Sequence, residues 1–207
     1  MLNGNVEVAG LSCRGEAWFN RKGELVAATL FGEQLVGTRR FSGGSLVRYQ
    51  GGRLADVRLG KDQEVNGLPC RKGVLVMFDQ KERLSFLELA AACDLDGIPC
   101  AGGHHVQFQN GRLSGAILAR EHVLMGREFP RTTAVYFVEG HLRSVVLQED
   151  WDIDGIPVQV RSPLELYENG QPKHLLLARS CSVLGKPYEC GTLLQFDREG
   201  QLIYAQR

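Results

Sequence analysis

The chain has 207 residues, 43% of them hydrophobic, with Lys plus Arg equal to Asp plus Glu at 24 each. That length can bury a sizeable core in one body, and the balanced charge excludes a net positive field that would gather nucleic acid or an anionic membrane surface. No apolar run approaches the length of a membrane span, and Met1-Leu2-Asn3-Gly4 has neither the basic start nor the apolar stretch of a secretory signal.

Self-similarity dominates the sequence. Gly37, Gly67, Gly97, Gly126, Gly155 and Gly185 are spaced by 30, 30, 29, 29 and 30 residues, the mark of a tandem array. About seven units follow, over residues 10–37, 38–67, 68–97, 98–126, 127–155, 156–185 and 186–207, in a single repeat domain over residues 1–207. In chain order each unit carries an aromatic, then a Gly, then a Leu. The copies are Phe19/Gly23/Leu25, Tyr49/Gly52/Leu54, Phe108/Gly111/Leu113, Phe137/Gly140/Leu142 and Phe196/Gly200/Leu202. Phe78/Glu82/Leu84 and Tyr167/Gly170/Pro172 are imperfect copies.

A β-hairpin explains the pattern. Around a tight Asn110-Gly111 turn, Phe108 and Leu113 lie opposite each other on one face, and the longer turns ending in Gly restore the same pairing. Before the aromatic, Val76, Val106, Val135 and Leu194 alternate with it, as in a half-buried strand. After the Leu the apolar steps are three and five, as in Leu54/Val57/Leu59 and Leu84/Leu87/Leu89. A step of three predicts a bulge in the second strand. Each unit then closes with a polar turn, its Gly and an extended piece such as Gly97-Ile98-Pro99. The expected fold is all-β, an antiparallel meander of hairpins, with a β-solenoid of short sides as the alternative.

The repeated aromatic-x-Asn-Gly-x-Leu hairpin, clearest at Phe108-Gln109-Asn110-Gly111-Arg112-Leu113, resembles the MORN repeat (membrane occupation and recognition nexus), especially its bacterial variants. The resemblance implies an elongated meander used for protein or lipid contact, and an antitoxin role in some bacterial relatives. The usual unit is shorter and richer in Gly and Tyr, whereas this one adds the Gly-Ile-Pro step. The motif is structural, so it carries no catalytic residue across.

The chemistry-bearing residues are read mostly as structure. Asp150-Trp151-Asp152-Ile153-Asp154-Gly155 has the oxygen spacing of half a calcium loop, but Arg161 stands where the closing Glu belongs. Its Asp-Gly pair also recurs at Asp96-Gly97, as turns favour. The six cysteines at 13, 70, 93, 100, 181 and 190 show no zinc spacing, and the expectation is small buried side chains, or a disulfide framework in an exported form. His104 and His105 point to opposite faces of a strand and cannot chelate together. His174 near Ser180-Cys181-Ser182 could serve as base and nucleophile, though no nucleophile-elbow motif accompanies them. No metal, cofactor or catalytic residue is assigned.

The residue before each aromatic faces away from the Phe/Leu core. That column is Trp18, Arg48, Met77, Gln107, Tyr136, Leu166 and Gln195, free of Lys, Asp and Glu as contact surfaces are. It is either a binding face or a second buried layer. The resulting expectation is a non-catalytic binding or scaffold protein that meets a protein partner through Trp18, Arg48, Met77, Gln107 and Tyr136. A small hydrolase with a site between repeats and an antitoxin or immunity-type structural protein are the alternatives. Nucleic acid is not an expected partner, and membrane contact is the less favoured one. A soluble, cytoplasmic setting is expected, or an exported one if a signal has been removed.

Overall fold

The computed structural model describes residues 5–207; Met1–Gly4, and with them the reading of the signal-free start, lie outside the described residues. Every regular element among the described residues is a strand. Fifteen strands form an antiparallel meander, hydrogen-bonded in the order in which they occur in the sequence. After Asn5–Val8 they are seven hairpins: Leu11–Phe19 with Leu25–Leu30, Leu46–Gln50 with Arg53–Arg58, Leu75–Phe78 with Leu84–Glu88, and His105–Gln109 with Arg112–Ile117. Ala134–Val138 with His141–Val146, Pro163–Leu166 with Pro172–Leu176, and Leu193–Phe196 with Leu202–Gln206 complete the set. The meander is thus the arrangement adopted, and the solenoid is not.

The turns form where the sequence puts them. Asn110 and Gly111 both have positive φ, 56° and 80°, the mirror-image turn whose twist matches its flanking strands. In the longer turns a side chain does the closing. Asp79 Oδ1 accepts the N–H groups of Lys81 and Arg83 at 2.8 and 2.9 Å, as Asp197 does for Glu199 and Gln201. The inferred bulge is present too. Arg48 faces Asp56 while Tyr49 faces Leu54, which leaves Ala55 as the extra residue; Ser85, Arg143, Lys173 and Ile203 are its counterparts.

Two readings of the sequence need correction. The three Gly-hydrophobic-Pro pieces are not plain connectors but run into the second strands of small side hairpins, such as Gln63–Val65 with Leu68–Cys70 and Trp151–Ile153 with Ile156–Val158, and six such side hairpins occur among the described residues. Their turns include Asn66-Gly67, Asp96-Gly97 and Asp154-Gly155, with positive φ at both residues. In the sixth hairpin Leu166, not Tyr167, pairs with Pro172. Tyr167 takes the place that Asp79 and Asp197 hold in their turns, and its hydroxyl donates to the Phe196 carbonyl at 2.9 Å.

The core repeats as columns. Leu30, Leu59, Leu89, Leu118, Leu147 and Leu177 are equivalent and essentially sealed, as are Val47, Val76, Val106, Val135, Leu164 and Leu194 on the strands entering each hairpin. Each such side chain stabilises by about 1.5–3 kcal/mol relative to exposure. The side hairpins supply the opposing layer through Phe41, Cys70, Cys100, Phe129 and Val158, with Phe41 edge-on to Phe78 at 6.4 Å between centroids. Phe19 is the exception among the aromatics, at 52% exposure.

The chain divides into two compact units, one made of the chain up to Cys93 with Gly102–Gly111, the other of Asp94–Ala101 with Arg112–Arg207. Each is clipped internally by side chains that bond residues 21 to 44 positions away in the chain. In the first, Arg39 Nε donates to Asn66 Oδ1 at 3.2 Å and Gln63 Oε1 accepts the Ser42 N–H at 2.9 Å. In the second, Arg127 bonds Asp154 at 2.7 Å, Gln171 and the Gly170 carbonyl, and Arg179 bonds Asp152 at 2.7 Å.

Candidate functional site

The face opposite the core is open. In the first unit Trp18 is 45% and Met77 41% exposed, and Arg48 and Gln107 are exposed beside them; in the second, Tyr136 is 40% exposed. The reading of this face as a second buried layer is therefore excluded.

Strand register shows which neighbours these residues have. In the first unit the row runs Trp18, Ala27, Arg48, Asp56, Met77, Phe86 and Gln107, each directly opposite the next. Arg48 Nε meets Asp56 Oδ1 at 2.7 Å, and the Phe86 ring lies 4.7 Å from that of His105, whose Nε2 is 3.5 Å from Glu88. In the second unit the row runs Tyr136, Ser144, Glu165, His174, Gln195 and Tyr204. Glu165 stands where Leu166 was expected; Leu166 is buried at 3%. The one-residue slip follows from reading Tyr167 as the core aromatic, and it means that the column does contain a carboxylate.

Sequence reasoning missed the interleaved members Asp56, Phe86, Ser144, His174 and Tyr204. Their signal was available. Once the bulge is granted, the residue two after each Leu must share the face of the residue before each aromatic.

The other candidates are distributed. His174 Nδ1 lies 3.1 Å from Glu165 on the open face, and this bond, ahead of Lys173 at 3.5 Å, holds the Glu165 carboxyl below its ordinary range. The Ser180 hydroxyl instead accepts the Cys190 N–H at 3.1 Å, and Cys181 is opposite Tyr188 in a side hairpin, its thiol pushed up by burial. The structure gives these residues separate partners and no shared relay. Asp152 and Asp154 are engaged by Arg179 and Arg127, so the half calcium loop is a turn with ion-paired carboxylates. Cys13, Cys70 and Cys100 are buried, each thiol donating to the carbonyl two residues before it at 3.4 Å, whereas Cys190 is exposed, against expectation. A cleft of about 620 Å³ in the first unit is lined by charges of both signs, including Arg14, Glu33, Arg40, Lys61 and Asp62.

The chain matches no family model, no curated protein and no solved structure. The likeness to the MORN repeat rests on the hairpin motif alone.

Proposed function

We propose that the chain is a non-catalytic binding or scaffold protein that holds a protein partner on the open faces of its two units. One observation carries this reading: Trp18, Met77 and Tyr136 are each more than a third exposed on rigid, paired strands. Trp, Tyr and Arg dominate interface energetics, and rigid strands present them at little entropic cost.

The test is capture of native-host proteins on immobilised wild type and on a Trp18→Ala/Tyr136→Ala variant whose thermal melt is unchanged. A protein retained by the wild type and lost from the variant supports the proposal. Equal retention by both, or no specific retention, overturns it.

A further inference from the structure

The second unit carries a feature that names the chemistry of a partner. Resting on the binding reading above, we infer that the hairpin-turn end of its open face binds an acidic segment of a protein, with Tyr136 as the neighbouring apolar anchor. Tyr136 lies directly opposite Ser144, and Ser144 lines a cavity of about 420 Å³ with Arg143, Glu165, Tyr167, Lys173 and Arg198.

Two of these cations are the extra residues of their bulges, Arg143 and Lys173. A bulge re-aims the side chain that it inserts, and here both inserted side chains line the cavity. Arg198 joins them from the last hairpin turn, its guanidinium 5.9 Å from the Tyr167 ring centroid, and its charge, with that of Arg143, acts on the Glu168 carboxylate. Arg143 is met by Glu168 at 2.6 Å and Lys173 by Glu165 at 3.5 Å. Three fixed positive charges thus face two carboxylates, one of which is shared with His174. The surplus is positive, on a chain whose net charge is zero.

The cations can take more acceptors than they have. A guanidinium presents five N–H donors in a fork that fits a carboxylate. The occupant that matches a cationic cavity beside an exposed ring is therefore a peptide that offers carboxylates next to an apolar side chain.

The experiment is fluorescence anisotropy with the full chain and a fluorescein-labelled peptide of alternating Glu and Leu, at low and raised salt. Arg198→Gln/Lys173→Gln is compared with Arg21→Gln/Lys22→Gln, an equal charge change in the first hairpin turn, with thermal melts alongside. The wild type should bind the peptide, more weakly as salt rises. The cavity variant should bind about 10-fold or more weakly with an unchanged melt, and the turn variant should bind like the wild type. Absent wild-type binding, equal loss in both variants, or tighter binding to phosphatidylserine vesicles or a single-stranded oligonucleotide would overturn the inference. If a captured partner is lost from the Trp18/Tyr136 variant but retained by the cavity variant, this inference falls while the binding reading stands.

Discussion

The Glu82 carboxylate accepts the backbone N–H of Leu54, 28 residues earlier in the chain, at 3.1 Å. Glu82 also sits at φ 56°, where the sister turns place Gly23 and Gly200. A left-handed backbone at a non-glycine residue costs about 1–2 kcal/mol, which alone would make Glu82→Gly stabilising. The bond to Leu54 offsets that gain, since a hydrogen bond to a charged group contributes about 1.5–3 kcal/mol when shielded and less at a partly exposed site. Glu82→Gly is therefore expected to change stability by under about 1 kcal/mol in urea denaturation. Glu82→Ala keeps the strain and loses the bond, so it should cost about 1–2 kcal/mol. An alanine variant as stable as the wild type would show that the carboxylate contributes nothing.

Gly60 is needed for a close approach between chains of backbone. A Cβ added there would lie 2.4 Å from the Gly44 carbonyl carbon and 2.5 Å from the Ser45 nitrogen. Ser45 cannot retreat easily, because its hydroxyl accepts the Gly60 N–H at 3.0 Å and its carbonyl accepts the Leu30 N–H at 2.9 Å. Gly60→Ala should cost about 2–3 kcal/mol, at the upper end for overpacking. A denaturation midpoint equal to the wild type would mean that these strands part more readily than their bonding implies.

The hairpins were legible because their chemistry is local: Asn110-Gly111 states its own turn, and the three-residue step from Leu54 to Val57 states its own bulge. The side hairpins were not. Strands of three residues, such as Gln63–Val65 and Leu68–Cys70, are too short for alternation to register, and Pro69 on an edge strand reads like a linker. The slip at Tyr167 arose because a Tyr fills a turn place taken by Asp79 and Asp197 elsewhere, so residue type pointed to the core while register put Leu166 there. Of the open face, the first-strand residues were read correctly except at that unit. The cationic cavity was missed because Arg143, Lys173 and Arg198 meet only through pairing between hairpins.

Cys70 gives a pH signature. Its side chain is 2% exposed, and burial pushes the thiol from 9.0 up to about 11. The unfolded chain therefore releases this proton before the folded one does. Between those values the unfolded state binds fewer protons, so stability falls as pH rises, by at most about 1.4 kcal/mol per pH unit from one group. The contribution is fully present below pH 9.0 and is lost as pH passes about 11. Val158 holds the equivalent place, so Cys70→Val is a natural replacement. Urea titrations across that range should show a shallower loss in Cys70→Val than in the wild type; identical slopes would mean that Cys70 ionises as freely in the folded chain as in the unfolded one.

Val135 and Tyr136 are adjacent on one strand and face opposite ways, Val135 sealed in the core and Tyr136 on the open face. Val135→Ala removes buried methyl groups from a column with no solvent access and should cost about 1–3 kcal/mol, within the range for large-to-small core changes. Tyr136→Ala removes only cross-strand contact with its neighbours at Gly115 and Ser144, worth about 0.2–1 kcal/mol. The two variants should therefore separate in both readouts. Val135→Ala should lower the melt while any partner bound at low temperature is kept, and Tyr136→Ala should leave the melt within a few degrees while weakening that partner by about 2 kcal/mol if the ring is a central anchor. Thermal melts combined with titration calorimetry on the captured partner test this directly. If Tyr136→Ala instead lowers the melt as far as Val135→Ala does, the ring is part of the packing of the fold, and the open face cannot be kept as a surface held ready for a partner.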